Sequence, residues 1–330
     1  MADQTPDILD ATQSPVCTVK DFCLDVAIEH GQFLETEGNE YPTLDFQRDS
    51  LTPEEIADQF VRYFKLRYPL TVDQIRAVCN KSGFMLKAVR TPDKMRGANC
   101  SFNGQTYVYY KLDDPPTSQV HTLLHELYEI IDRELVEWAG ARIRPRVMVD
   151  REANRFASNA QVPASLVRAW VKEHGIEVLA LRRAFDCPYA TALIQLKEGL
   201  RMAMLAEPDK YYPPMIGAIY ERRFWKPTRS GRAPRLQLSF FVKTPGFPFR
   251  MQKPELRSLS IQHQQDIFQL HEMVMQERRG PLILENAELL YDGHALPIHV
   301  IIQPVHWPSV HRKAAKVIVQ IFRPYPGGRI

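Results

Sequence analysis

The spacing of hydrophobic residues changes at about residue 207 of the chain. Before that point, apolar residues in most segments recur every three or four positions, which is the period of a helix with one buried face. Two segments alternate apolar and polar residues, as half-buried strands do. The sequence predicts helices at 19–34, 52–64, 71–83, 117–138, 148–162, 165–173, 178–185 and 189–202, strands at 84–89 and 105–112, and a loop at 38–50.

Beyond the proline-rich segment 207–214, the pattern becomes one of strands. Alternating, β-branched runs predict a ββαβββ order in this part, and the whole chain is therefore of the α+β class. The predicted strands are 216–225, 236–243, 282–291, 297–303 and 316–322, and the predicted helix is 261–278. The changes of pattern divide the chain into an acidic N-terminal extension (1–50), a first domain (51–163), a helical segment (164–206) and a C-terminal domain (215–330).

Two helix starts carry a recognisable signal. Thr52 is followed by Pro53 at the first helical position and by Glu55 three residues on, which is a capping box. Thr71 and Gln74 repeat that spacing before the next helix. We therefore expect both helices to begin at these threonines.

The composition excludes several classes of protein. The chain has 330 residues, of which 45% are hydrophobic and 25% charged, which suits a globular protein and not a disordered or fibrous one. Its five cysteines form no C-x-x-C pair, so neither a disulfide framework nor a thiolate zinc site is expected. No apolar run approaches the ~20 residues of a membrane helix, and the acidic N-terminus has no signal-peptide pattern. We expect a soluble, cytoplasmic protein without a membrane partner.

The net charge of +3 is unevenly distributed. Residues 1–50 carry 2 basic and 11 acidic side chains, whereas residues 206–330 carry 18 basic and 10 acidic ones. A basic region can meet nucleic acid or an acidic partner. The excess is modest for this length, which favours an ordinary solvated surface.

The predicted helix 117–138 contains a row of side chains suited to metal binding. His121, His125 and Glu129 are spaced four residues apart and lie on one face of the helix, beside its apolar stripe. Imidazole and carboxylate groups aligned in this way can bind a divalent metal, with Glu126 as a general base. Residues 125–129 read H-E-L-Y-E, with glutamate where the zinc-protease signature H-E-x-x-H has its second histidine.

Three features of the surrounding sequence resemble the ImmA/IrrE family of intracellular metallopeptidases. Residues 122–127 read T-L-L-H-E-L, and residues 151–157 read R-E-A-N-R-F-A, with Pro163 after five further residues. The third feature is the order helix, helix, strand, Arg96-Gly97, strand before the long helix. The resemblance covers residues 51–163 and implies a zincin-like metallopeptidase domain, followed by a helix-turn-helix-like segment.

The resemblance also implies roles for individual residues. In the family, the H-E-x-x-H helix supplies two metal ligands, which correspond to His125 and Glu129, and Glu126 would be the catalytic base. One histidine with two carboxylates is a harder ligand set than two histidines with one carboxylate. The implied cofactor is a divalent metal, zinc or manganese, with manganese favoured by the change at position 129.

The third ligand in the family is an acid from the following helix. Asp150 is implied by its position in the motif, and Glu152 is the alternative because both flank the buried face of that helix at similar angles. His121, one turn before His125, is a further alternative that would replace the missing histidine.

The family's activity suggests the function. It implies a metal-dependent endopeptidase that cuts a protein partner, usually a helix-turn-helix repressor, in a stress or mobile-element response. In this type of fold the strand before the active helix, here 105–112, pairs with an extended substrate, and Tyr107 and Tyr109 are the candidate contacts. The alternatives are a catalytically degenerate peptidase fold that acts as a regulatory binding or sensor protein, and a DNA-binding transcriptional regulator.

The helical segment resembles a helix-turn-helix with a break at residues 186–188. A DNA reader places several basic or amide side chains on its second helix. The first nine residues of the second helix offer Tyr189, Thr191, Gln195 and Lys197, with one charge among them. We therefore do not expect sequence-specific DNA binding.

The C-terminal domain occupies the position where IrrE-type proteins carry a GAF-like sensor, so a mixed α/β, GAF-like domain with a small ligand is implied. Its histidines are irregularly spaced, two of them beside prolines, and we do not expect a metal site there. These histidines are His294, His299, His306 and His311.

Overall fold

The computed structural model describes most of the chain and divides it into two compact units. The described residues are 17–30, 32–34, 43–45, 51–90, 95–139, 144–223, 235–245, 247, 281–291, 294–305 and 316–323. Unit 1 comprises residues 1–67, 71–112 and 122–157, and unit 2 comprises residues 68–70, 113–121 and 158–330. The predicted division into four parts stays a prediction, whereas the α+β class is confirmed.

Helices, a two-stranded sheet and a three-stranded sheet build the described part of unit 1. Its elements are α1 (Val19–His30), β1 (Gln32–Leu34), β2 (Thr43–Asp45), α2 (Pro53–Tyr63), α3 (Val72–Lys81), β3 (Met85–Val89), β4 (Gly97–Phe102), β5 (Gln105–Lys111), and most of α4 (Pro116–Ala139) and α5 (Arg146–Gln161). The three-stranded sheet has the order β3-β5-β4, with β3 parallel and β4 antiparallel to β5.

The two predicted helix starts are confirmed. Thr52 accepts a hydrogen bond from the backbone N–H of Glu55 (3.2 Å), and the Glu55 carboxylate accepts one from the backbone N–H of Thr52 (2.7 Å). Thr71 caps α3 through the N–H of Gln74 (3.3 Å). Each cap satisfies N–H groups that a helix start otherwise leaves without a partner.

Two expectations for unit 1 are wrong. The predicted helix 19–34 ends at His30, and Gln32–Leu34 pairs with Thr43–Asp45 inside the predicted loop 38–50. Gly31 directly follows the last helical residue, and glycine is a common helix end. The sequence also predicts no strand between the strands 84–89 and 105–112, where only Arg96-Gly97 is noted. The structure has a full strand there, β4, which forms a hairpin with β5.

Aromatic rings form much of the core of unit 1. The rings of Phe22 and Phe60 lie 5.7 Å apart, Phe60 and Phe156 lie 5.5 Å apart, and Phe156 and Tyr128 lie 5.2 Å apart. These contacts join α1, α2, α5 and α4. Because α4 and α5 are held in this core, their polar faces have fixed positions.

The described part of unit 2 combines three helices with an antiparallel sheet. The helices are α6 (Ala164–His174), α7 (Val178–Phe185) and α8 (Tyr189–Ala206), and the strands are β6 (Met215–Arg223), β7 (Arg235–Lys243), β8 (Leu282–Tyr291), β9 (His294–Val305) and β10 (Lys316–Phe322). The sheet order is β7-β6-β10-β9-β8. These strands correspond to the five predicted ones, and the predicted helix 261–278 lies outside the described residues.

Close packing in unit 2 depends on two glycines. A Cβ at Gly199 of α8 would overlap the Val167 side chain of α6, and a Cβ at Gly217 of β6 would overlap Leu193 of α8. The buried Gln320 also accepts a hydrogen bond from the N–H of Val178 (3.2 Å), which ties α7 to β10. The helix α8 is thus packed against both α6 and the sheet. Among the described helices, none has the length and apolar character that a membrane crossing requires.

Candidate metal centre

Three side chains of unit 1 converge on one point. His125 and Glu129 lie one turn apart on α4, and Asp150 lies near the start of α5. His125 Nε2 is 3.6 Å from Glu129 Oε1 and 3.5 Å from Asp150 Oδ1. One ligand atom from each of the three residues lies within 4.8 Å of the other two, and Asp150 is 62% exposed.

These distances fit a divalent metal ion. Ligand atoms at ~2.1 Å from a tetrahedral ion lie about 3.4 Å from one another. The two separations from His125 Nε2 are close to that value. One imidazole nitrogen and two carboxylates form a suitable donor set, so the group can hold a metal ion.

Glu126 is buried beside this group, and it shares a hydrogen-bond donor, Asn99, with Glu129. The Asn99 side chain, on β4, donates one hydrogen bond from Nδ2 to Glu126 Oε2 (2.8 Å) and another to Glu129 Oε2 (2.9 Å). Arg133 donates to Asn99 Oδ1 (3.3 Å). A Cβ at Gly97 would overlap Thr122 and lie 2.8 Å from Glu126 Oε1, so the first residue of β4 must be glycine for this approach.

The close carboxylates and the imidazole alter one another's protonation. Burial would lower the pKa of His125, but its interaction with Glu129 and the charges of Glu126 and Asp150 outweigh burial and raise that pKa. Burial raises the pKa of Glu126, and the hydrogen bond from Asn99 opposes this effect. The interaction with His125 lowers the pKa of Glu129. A buried carboxyl with a raised pKa beside a ligand group is suited to accept a proton.

The structure separates the two candidates for the third ligand. Asp150 lies at the group, whereas the carboxylate of Glu152 accepts a hydrogen bond from the hydroxyl of Tyr128 (2.6 Å) and forms an ion pair with Arg144. Arg144 also forms an ion pair with Asp132 of α4, and its side chain is only 7% exposed. Arg144 therefore links α4 to the N-terminal part of α5, where Asp150 also lies.

His121 lies outside the group. Its Nδ1 is 3.1 Å from Gln161 Oε1 and 3.5 Å from Thr191 Oγ1, and all three residues belong to unit 2. The geometry thus does not place His121, the further alternative for a ligand, in that group. His121 lies one turn before His125 along α4, but its ring is directed to other partners.

The strand predicted to pair with a substrate is the central one of its sheet. The backbone of β5 is hydrogen-bonded to β3 on one side and to β4 on the other, so it has no edge available for a peptide. Among the described strands, β4 forms the edge nearest the carboxylates. Tyr107 and Tyr109 have stacked rings 6.3 Å apart, and their contact with a substrate stays a prediction.

Two of the four polar residues considered for DNA reading on α8 are buried. Thr191 and Gln195 are 2% and 3% exposed, and Gln195 lies next to Val162 and Asn159 of the same unit. Buried side chains cannot contact base edges.

Of the four C-terminal histidines, His299 packs against Phe322 of the sheet, and the side chains of His294, His306 and His311 lie outside the described residues.

Sequence reasoning missed Asn99, Arg133 and Arg144. The first of these was recoverable, because Asn103-Gly104 between two short runs is a hairpin signal that predicts a strand at 97–102. Alternation along that strand would have placed Asn99 on the same face as Gly97. No comparable signal identifies the partners of the two arginines.

The comparisons with known proteins give a likeness of fold. No protein-family model matches the chain, and no curated protein matches it. Among solved structures, the chain is similar to a Mycobacterium tuberculosis transcriptional regulator, with a TM-score of 0.53 and 13% sequence identity. The similarity covers 92% of this chain and 80% of that chain. At this identity the likeness concerns the fold alone.

Proposed function

We propose that the chain is a metal-dependent endopeptidase of the ImmA/IrrE type. Its substrate would be a protein partner, and the resemblance favours a helix-turn-helix repressor cut in a stress or mobile-element response. The observation that carries this proposal is the convergence of His125, Glu129 and Asp150 within 4.8 Å, beside the buried Glu126.

In this mechanism the three converging side chains, His125, Glu129 and Asp150, would hold the metal ion. A bound divalent ion would supply a Lewis acid that polarises the scissile carbonyl and lowers the pKa of a water molecule. Glu126 accepts the proton of the attacking water and passes it to the leaving amine. Because Asn99 binds Glu126 Oε2, Oε1 is the oxygen that receives the proton.

The donor set favours a harder ion than zinc. Two of the three ligands are carboxylates, Glu129 and Asp150, and only His125 provides nitrogen. Carboxylate-rich sites suit manganese, whereas sites richer in imidazole suit zinc. We therefore infer that manganese supports the activity better than zinc does.

A second candidate is a regulatory protein that uses the peptidase fold to bind a partner without cutting it. Glutamate at position 129 departs from the H-E-x-x-H pattern, and the similar solved structure is named a transcriptional regulator. The antiparallel sheet of unit 2 supports a GAF-like sensor that takes a small ligand. The burial of Thr191 and Gln195 favours this candidate over direct DNA reading.

Removal and return of the metal test the proposed activity. The full-length protein is treated with a chelator, dialysed, supplied with manganese or zinc, and incubated with a peptide library made from a digested proteome. We expect new peptide termini with manganese, fewer with zinc, and none in the metal-free sample.

The His125→Ala variant, supplied with the same metals, is the negative control because it removes the nitrogen ligand. Termini that form equally in the metal-free sample or in His125→Ala would contradict a metal-dependent peptidase. Absence of cleavage with either ion would favour the regulatory candidate.

A further inference from the structure

Asn99 contacts two carboxylates that belong to different parts of the centre. Its amide nitrogen has two hydrogens, and each is directed to a different glutamate, Glu126 (2.8 Å) and Glu129 (2.9 Å). Both hydrogen bonds go to the Oε2 atom, so the Oε1 atoms remain for other contacts. One of these, Glu129 Oε1, is the atom that lies 3.6 Å from His125 Nε2.

A second residue sets the orientation of that amide. Arg133, one turn after Glu129 on α4, donates to Asn99 Oδ1 (3.3 Å). An arginine can only donate hydrogen bonds, so it binds the oxygen of the amide and leaves the nitrogen directed at the carboxylates. The two glutamates and the arginine thus fix both ends of the Asn99 side chain.

Two neighbouring carboxylates repel each other when both are charged. A neutral amide that donates to both offsets this repulsion without adding a charge, whereas a lysine at the same position would add one. Asn99 reaches this position because it lies on the same face of β4 as Gly97, where the strand runs close to α4. The hydrogen bonds of Asn99 therefore join the strand to the helix at the centre.

The geometry points to Asn99 as a positioning residue: it holds Glu129 as a ligand through Oε1 and holds Glu126 beside the metal, with its amide oriented by Arg133. This inference rests on the proposed metal centre and adds a residue that the H-E-x-x-E motif does not contain. Hydrogen-bonding partners of metal ligands typically contribute 10–100-fold to metal affinity.

The test uses metal alone as the probe. The metal-free full-length protein and the Asn99→Leu variant, in which leucine has a similar size but no donor, are titrated with Co²⁺ and Mn²⁺ by calorimetry. The visible absorption of bound Co²⁺ reports the ligand geometry. We expect affinity to fall about 10–100-fold in Asn99→Leu and the Co²⁺ spectrum to change.

The matched control is Ser101→Ala, which removes a polar side chain from the same strand. Ser101 lies 3.2 Å from Thr106 and is exposed, and its hydrogen-bond partner is not one of the carboxylates. We expect its metal affinity and Co²⁺ spectrum to match those of the wild type. Thermal unfolding of the metal-free proteins identifies any variant that has lost its fold.

The Arg133→Gln variant decides the outcome if Asn99→Leu fails to fold. It leaves Asn99 in place but removes the charged donor that orients the amide, and we expect a smaller loss of affinity in the same direction. The role of Asn99 would be overturned if folded Asn99→Leu had the metal affinity and the Co²⁺ spectrum of the wild type. If Asn99→Leu is unfolded, the same result in Arg133→Gln would overturn it. A wild-type protein that binds neither metal would instead overturn the proposed function on which this inference rests.

Discussion

Replacement of Glu126 by glutamine is expected to lower the rate of peptide hydrolysis by about 10²–10⁴-fold while metal binding and folding are retained. Glutamine has nearly the shape of glutamate and can still offer an oxygen to Asn99, whose Nδ2 lies 2.8 Å from Glu126 Oε2. It cannot accept the proton of the attacking water. The loss therefore falls on the chemical step.

The measurement compares initial cleavage rates of a peptide identified in the library experiment, with metal content determined for each protein. Glu137→Gln is the matched control, because Glu137 is an exposed residue of the same helix. We expect it to keep the wild-type rate. Equal rates for Glu126→Gln and the wild type would contradict the assignment of Glu126 as the base.

Replacement of Arg144 by methionine is expected to destabilise unit 1 by about 3–5 kcal/mol. Arg144 lies between Asp132 and Glu152, and its removal takes away the cation that pairs with both of these carboxylates, which have little contact with solvent. Removal of one member of a buried ion pair is strongly destabilising, because the charge that remains has lost a compensating charge. The same change also removes one of the links between α4 and α5, so metal affinity should fall because Asp150 is less well positioned.

Urea denaturation of the metal-free protein, followed by circular dichroism, measures this loss. The control is Arg155→Met, which removes an exposed pair with Glu54 and should change the free energy of unfolding by only about 0–1 kcal/mol. Adding Asp132→Asn and Glu152→Gln to Arg144→Met should recover part of the loss. A change below about 1 kcal/mol in Arg144→Met would show that the network contributes little.

Much of the fold follows from local signals in the sequence. The caps at Thr52 and Thr71 fixed the starts of two helices, and the apolar stripe of α4 predicted its length to within a residue or two at each end. These predictions succeed because capping and helical periodicity depend on residues close together in the chain. The strand at Gly97–Phe102 was recoverable from the turn that follows it, where Asn103 and Gly104 both have positive φ.

The candidate site was predictable only in part. The spacing of His125 and Glu129 on one helix follows from helical geometry, which needs no tertiary information. The choice between Asp150 and Glu152 does not, because the two flank the buried face of α5 at similar angles on its two sides and differ only in what faces them. Arg144, outside both helices, pairs with Glu152, and this contact is set by the packing of α4 against α5.

The central claim is that His125, Glu129 and Asp150 form a metal centre. The most direct test is elemental mass spectrometry of protein purified without a chelator or a histidine tag. The metal content of the wild type is compared with that of the variant His125→Ala/Glu129→Ala. We expect about one equivalent of manganese or zinc in the wild type and loss of that metal in the variant. Of the two ions, manganese is favoured because two of the three ligands are carboxylates. Absence of metal from the wild type, even after incubation with both ions, or equal metal in both proteins, would contradict the centre.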